Sequence, residues 1–119
     1  MLLLIFSGCT MLGGGNLKLD ARVEPSSIEL SKPEPAVLEA TVTNVGETTL
    51  EVEVKVVGSE GLAIAPLTRS SFRLKPGEER TVRFRLVLTR DALPGIYRID
   101  VIAGSDGENV STKASLRVK

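Results

Sequence analysis

Leu50-Glu-Val-Glu-Val-Lys-Val56 decides the fold class, because apolar and charged residues alternate along it without a break. A period of two sets Leu50, Val52, Val54 and Val56 on one face of an extended strand, and Glu51, Glu53 and Lys55 on the other. The same alternation returns in Leu38, Ala40 and Val42; in Val82, Phe84, Leu86 and Leu88; and in Tyr97, Ile99 and Val101. It closes the chain in Val110, Thr112, Ala114, Leu116 and Val118. Each apolar set fits a buried face and each polar set a wet one. No segment from Leu17 onward carries a helical stripe; a single helical turn is expected near Arg90-Asp91-Ala92.

Turn chemistry separates these runs. Pro33-Glu34-Pro35, Asn44-Val45-Gly46, Gly58 to Gly61, Lys75-Pro76-Gly77, Leu93-Pro94-Gly95 and Ser105-Asp106-Gly107 are the breaks. Asn44 and Gly46 are expected in left-handed conformations, and Pro76-Gly77 in a type II turn. Weaker strands fit Leu17–Val23, Ile28–Leu30, Leu62–Ala65 and Ser71–Leu74. About seven to nine short strands predict an all-β fold, an antiparallel two-sheet sandwich over residues 17–119. On its wet faces Glu39 is expected beside Arg83 and Arg85, and Glu51 and Glu53 beside Arg98 and Asp100, as stabilising cross-strand pairs. The stretch Gly58–Arg73, with Leu62, Ile64, Pro66 and Leu67, is expected to cover the core or to form a partner-binding edge.

The composition excludes several kinds of function. Fifteen basic and fifteen acidic side chains cancel, and they are interspersed, so no basic face for nucleic acid is expected. There is no histidine, which removes the commonest general base and metal ligand. Cys9 is the only cysteine, so neither an internal disulfide nor a thiolate zinc site can form. Thr68, Ser70 and Ser71 have no imidazole to activate them, and Lys75 is linked to them only by proximity in sequence. No catalytic residue, no cofactor and no metal site is expected. Asp106-Gly107-Glu108-Asn109 offers too few oxygens for a calcium shell and reads as a polar turn.

The first residues carry the address. Met1 to Leu12 is an uncharged apolar run, followed by Gly13-Gly14-Gly15 and Asn16. Twelve residues are too few to span a bilayer, which needs about 20, but they suit a signal-peptide hydrophobic region. Phe6-Ser7-Gly8-Cys9 resembles the lipobox of prokaryotic lipoproteins. That resemblance implies lipid attachment at Cys9 and cleavage before it. A plain signal or uncleaved anchor and a meaningless leader are the other readings. The expected organisation is a leader over residues 1–12, a glycine-rich tether over 13–16 and one domain over 17–119.

Three segments of that domain are similar to a known family. They are Thr41-Val-Thr-Asn-Val-Gly46, Leu74-Lys-Pro-Gly-Glu-Glu-Arg-Thr-Val82 and Pro94-Gly-Ile-Tyr-Arg-Ile-Asp-Val101. Together they resemble the immunoglobulin-like domains of archaeal and bacterial surface proteins, of the cell-adhesion-related and glycosidase-accessory types. The resemblance implies a spacer, stalk unit or accessory binding module. Tyr97 stands where a tyrosine corner would sit, its hydroxyl bonding back to a turn carbonyl. Asn109-Val110-Ser111 is an N-glycosylation sequon, which makes Asn109 a candidate for modification.

The expected function is therefore non-enzymatic: a cell-envelope protein, exported and held by a lipid at Cys9 to the outer face of the cytoplasmic membrane or another envelope membrane. It would act as a scaffold or accessory module contacting an envelope protein, with strand addition at a sheet edge as the binding mode. A carbohydrate- or glycan-binding module is the alternative, weakened by the scarcity of aromatic rings.

Overall fold

Alternating burial along the strands is what the period-two sequence demands, and the computed structural model, which describes residues 16–105 and 107–119, follows it. Among the described residues nine strands form: β1 Leu17–Glu24, β2 Ser27–Ile28, β3 Ala36–Asn44, β4 Leu50–Gly58, β5 Leu62–Pro66, β6 Ser71–Leu74, β7 Glu79–Leu88, β8 Gly95–Ser105 and β9 Glu108–Val118. One sheet has the order β1-β3-β7-β5 and the other β2-β9-β8-β4-β6. All pairings are antiparallel except β2 with β9. The fold is an all-β, immunoglobulin-like sandwich.

The core lies between the sheets. Leu38, Val42, Val82 and Leu86 face Leu74, Ile99, Val101 and Leu116, all of them fully buried. Truncating such a leucine to alanine costs about 2–5 kcal/mol, because neighbours fill the void only in part. The outward positions between them are mostly charged or hydroxylated, so each strand has one dry and one wet face.

The registers define two poles. Asn16, the turns at residues 45–49 and 75–78, and the β8–β9 hairpin gather at one end. The connections at 25–35, 59–61 and 89–94, together with Lys119, gather at the other. Strands β5 and β6 divide the crossing between them. Leu62 and Ile64 pack against the core, whereas Leu67 is exposed.

Four details differ from the sequence reading. The turn at Arg90-Asp91 is closed by Ala92 N–H donating to the Thr89 carbonyl at 3.1 Å, with no helix. Glu51 and Glu53 do lie on the strand beside that of Arg98 and Asp100, but the register of β4 on β8 sets Glu53 opposite Gly104, and on the other side of β4 Glu51 faces Arg73 and Glu53 faces Ser71 of β6. Arg98 and Asp100 fall further along, where Asp100 faces Val57. Arg85 faces Val37 and Ala65, leaving Arg83 as the partner of Glu39. Gly46 is not among the left-handed glycines; its lack of a side chain makes room for Asn16 instead, whose Oδ1 would lie 2.5 Å from an added Cβ.

Candidate functional site

Asn44 is a fully buried polar side chain and all its bonding groups are used. Its Nδ2 donates to the carbonyls of Thr48 at 2.8 Å and Leu74 at 3.0 Å, while Oδ1 accepts from Gly46 N–H at 2.9 Å. The backbone adds Asn44 N–H to Glu78 O at 2.9 Å and Gly77 N–H to Asn44 O at 2.8 Å. The result is a structural knot of two turns. The second is the expected type II turn: Gly77 has φ +82°, and Glu78 N–H closes it on the Lys75 carbonyl.

The opposite pole holds the Tyr97 ring, nearly buried at the start of β8. Its hydroxyl accepts from Leu93 N–H at 2.8 Å and donates to the Leu93 carbonyl. Gly61 lies against the ring with φ +96°; a Cβ there would stand 3.0 Å from Tyr97 Cε2. This support fixes a loop whose apolar side chains face water, Leu93 being 71% and Ile96 54% exposed. A rigid, solvent-facing apolar tip can contact another protein with little ordering cost.

On the wet face of the four-stranded sheet, Arg22 Nε and Arg83 Nε each lie 2.9 Å from a different oxygen of Glu39. Hydrogen bonds from Arg22 first, then Arg83, hold the Glu39 carboxyl below its usual range. Thr41 and Thr81 hydroxyls meet beside them at 3.0 Å. The cluster spans β1, β3 and β7 and ties three strands together.

A shallow concavity lies on the wet side of the five-stranded sheet, lined in part by Glu51, Glu53, Arg69, Arg73 and Asn109. Asn109 is exposed in β9 opposite Gly104, and its side chain reaches over that glycine. The three aromatic rings of the described residues offer no bare stacking platform: Phe84 and Tyr97 are buried, and Arg80 lies 5.2 Å over the half-buried Phe72. Among the described residues there is no cluster of His, Cys, Asp and Glu that could hold a metal ion. No helix among them is long and apolar enough to cross a membrane. Cys9, the leader and residues 13–15 lie outside the described residues, as does Asp106.

The connection that sequence reasoning missed is Asn16 to Glu108. Asn16 N–H and Nδ2 each donate to Glu108 carboxylate oxygens at 3.0 Å, pinning the entry of the chain to the β8–β9 hairpin. Nothing in the spacing of 92 residues signals it.

The fold is similar to that of β-sandwich domains from several bacterial and archaeal proteins. It superposes on a FixG-related protein from Vibrio parahaemolyticus with TM-score 0.68 at 14% identity, covering 89% of this chain and 99% of that one. The CARDB domain of a Pyrococcus furiosus protein, solved in complex with di-metal ions, matches with TM-score 0.61 at 20% identity, over 87% of this chain and 94% of that one. The cupredoxin domain of AmoB from Nitrosocaldus yellowstonii matches with TM-score 0.63 at 10% identity, over 91% and 90%. At these identities the likeness is one of fold. No protein-family model matches the chain, and no curated protein does.

Proposed function

We propose that this is a non-enzymatic, membrane-tethered protein of the cell envelope, whose single immunoglobulin-like domain acts as a protein-interaction or accessory module. The supporting observation is the polarity of the domain: Asn16 enters at one pole, and the rigid apolar tip of Leu93 and Ile96 stands at the other. A chain held through Cys9 would present that tip away from its attachment. Two acyl chains would hold it stably, since one alone binds only marginally.

The test is the intact mass of the protein taken from native membranes, beside a Cys9→Ala variant. A mass that begins at Cys9 and carries diacylglycerol, with release of the variant into the soluble fraction, supports the reading. A wild-type protein that retains Met1 and stays soluble overturns the tethering. Cross-linking in whole cells, with Leu93→Asp and Ile96→Asp as losses of contact, tests the tip.

A glycan-binding accessory module is the second reading, favoured by the polar concavity around Glu51, Arg73 and Asn109. Glycan-array binding lost on Arg73→Ala would carry it. Glycosylation at Asn109 is checked by the same intact mass.

A further inference from the structure

One edge of the four-stranded sheet is β1, bonded on one side to β3. Val45 N–H donates to Asn16 O at 2.9 Å, so the even-numbered residues turn their backbone groups towards β3. The N–H and C=O groups of Leu19, Ala21 and Val23 therefore point outward. Strand β9 of the other sheet packs alongside, yet no backbone hydrogen bond joins it to β1 among the described residues.

The wet face of this strand carries Lys18, Asp20, Arg22 and Glu24, charges that reverse sign at every step. Arg22 pairs with Glu39, whereas Lys18, Asp20 and Glu24 make no ion pair among the described residues. Edge strands are usually guarded by charged side chains, proline or bulges. Alternating signs disfavour registers that set like charges together and favour those that set opposite charges together.

We propose that β1 pairs antiparallel with β1 of a second copy of this chain, about a two-fold axis at Ala21. In that register Lys18 faces Glu24 of the second copy, Asp20 faces Arg22, and the same two pairs recur by symmetry. Leu19 faces Val23, and Ala21 faces itself. The outward-pointing backbone groups are the odd-numbered ones, so the register that matches the charges also matches the hydrogen bonds. Its even-numbered pairs are the non-hydrogen-bonded ones, where side chains stand closest.

Moving the axis to Asp20 sets Asp20 on itself and Lys18 on Arg22. Moving it to Arg22 sets Arg22 on itself and Asp20 on Glu24. Both bring like charges together. A slip by one residue turns the dry face of one copy to the wet face of the other. A parallel, in-register pair stacks each charge on its own kind. Axes at Leu19 or Val23 also avoid like charges but form only two opposite-charge pairs, Lys18 with Asp20 or Arg22 with Glu24; the Ala21 axis forms four and pairs the longest stretch of the strand, and it stands independently of membrane attachment.

The experiment is sedimentation equilibrium of the full-length chain in density-matched detergent, with Lys18→Glu, Glu24→Lys and the double variant. Each single change reverses two of the four pairs and should weaken association roughly tenfold or more. The double variant restores all four and should dimerise like wild type. Mixing the two single variants should produce heterodimers, because one copy then carries Glu at both positions and the other Lys. Ala21→Pro removes an N–H that β3 does not use, and should leave a folded monomer by circular dichroism. A monomeric wild type overturns the proposal. So does a dimer indifferent to the single changes, or one that the mixture fails to regain.

Discussion

Asn44 and Leu74 are joined across the two sheets: the Asn44 amide on β3 donates to the Leu74 carbonyl at the end of β6, 3.0 Å away and buried. Hydrophobic packing sets the distance between sheets but not their relative slide, since apolar contact is non-directional. A directional bond at one pole supplies what packing lacks. Because the same amide also reaches Thr48, two loops from different parts of the chain depend on one side chain.

Asn44→Ala should therefore lower stability by about 3 kcal/mol, since it orphans buried bonding groups as well as removing bonds. Urea denaturation checks this. Asn44→Asp should be worse at neutral pH, where a carboxylate would face two carbonyls. Burial and those carbonyls would raise its pKa, so the penalty should shrink as the pH falls and the group takes up a proton.

Tyr97→Phe should lower stability by about 1–2 kcal/mol, through the lost bonds between its hydroxyl and Leu93. The change keeps the ring and its packing, so the denaturant midpoint should fall while the slope stays constant. Hydrogen exchange at Leu93 N–H should quicken in the same variant. An unchanged midpoint would show that the hydroxyl is not needed to hold the loop.

Gly61 and Gly77 separate two reasons for glycine. Both have positive φ, but an added Cβ at Gly77 meets nothing within 4 Å, whereas at Gly61 it presses on the Tyr97 ring. Gly77→Ala should cost about 1–2 kcal/mol of backbone strain. Gly61→Ala should cost more, and in a Tyr97→Ala background the excess should vanish. A double-mutant cycle measures it.

Glu39 predicts the acid limb of stability. Its carboxyl is held low by Arg22 and Arg83 in the folded state, so folding gains from its ionised form above the unfolded carboxylate pKa. That gain should disappear as pH falls through the folded value. Glu39→Gln should flatten this limb, and high salt should narrow the difference because the Arg22 side chain is 73% exposed.

The strands were legible because burial imposes the period of two residue by residue, and Leu50–Val56 or Tyr97–Val101 needs no partner to be read. Neighbour relations were less so. Glu51 and Glu53 are placed on the correct face by their own alternation and β4 does adjoin the strand of Arg98 and Asp100, but the register between those strands, and the arrival of β6 on the other side of β4, are not written in it. That depends on chain path, not on period. Asn44 shows the same limit: its place at the end of a run signals a turn, but not that it is buried or that Leu74 is its acceptor. The Asn16–Glu108 contact joins residues from opposite ends of the domain sequence, so no local pattern encodes it. For the site, residue types limit the chemistry more than they locate it. The exposure of Leu93 and Ile96 emerges only once Tyr97 and Gly61 have fixed the loop between them.

The placement of Asn16 and Lys119 at opposite poles has a mechanical meaning. Tension applied between them runs along β1 and β9, parallel to the strands and across their hydrogen bonds to β3 and β8. Those bonds would share the load in shear rather than open one after another like a zipper. Stretched in a single-molecule trap, the domain should yield abruptly and at high force, whereas force applied between Asn16 and Glu47 should peel β1 away at much lower load.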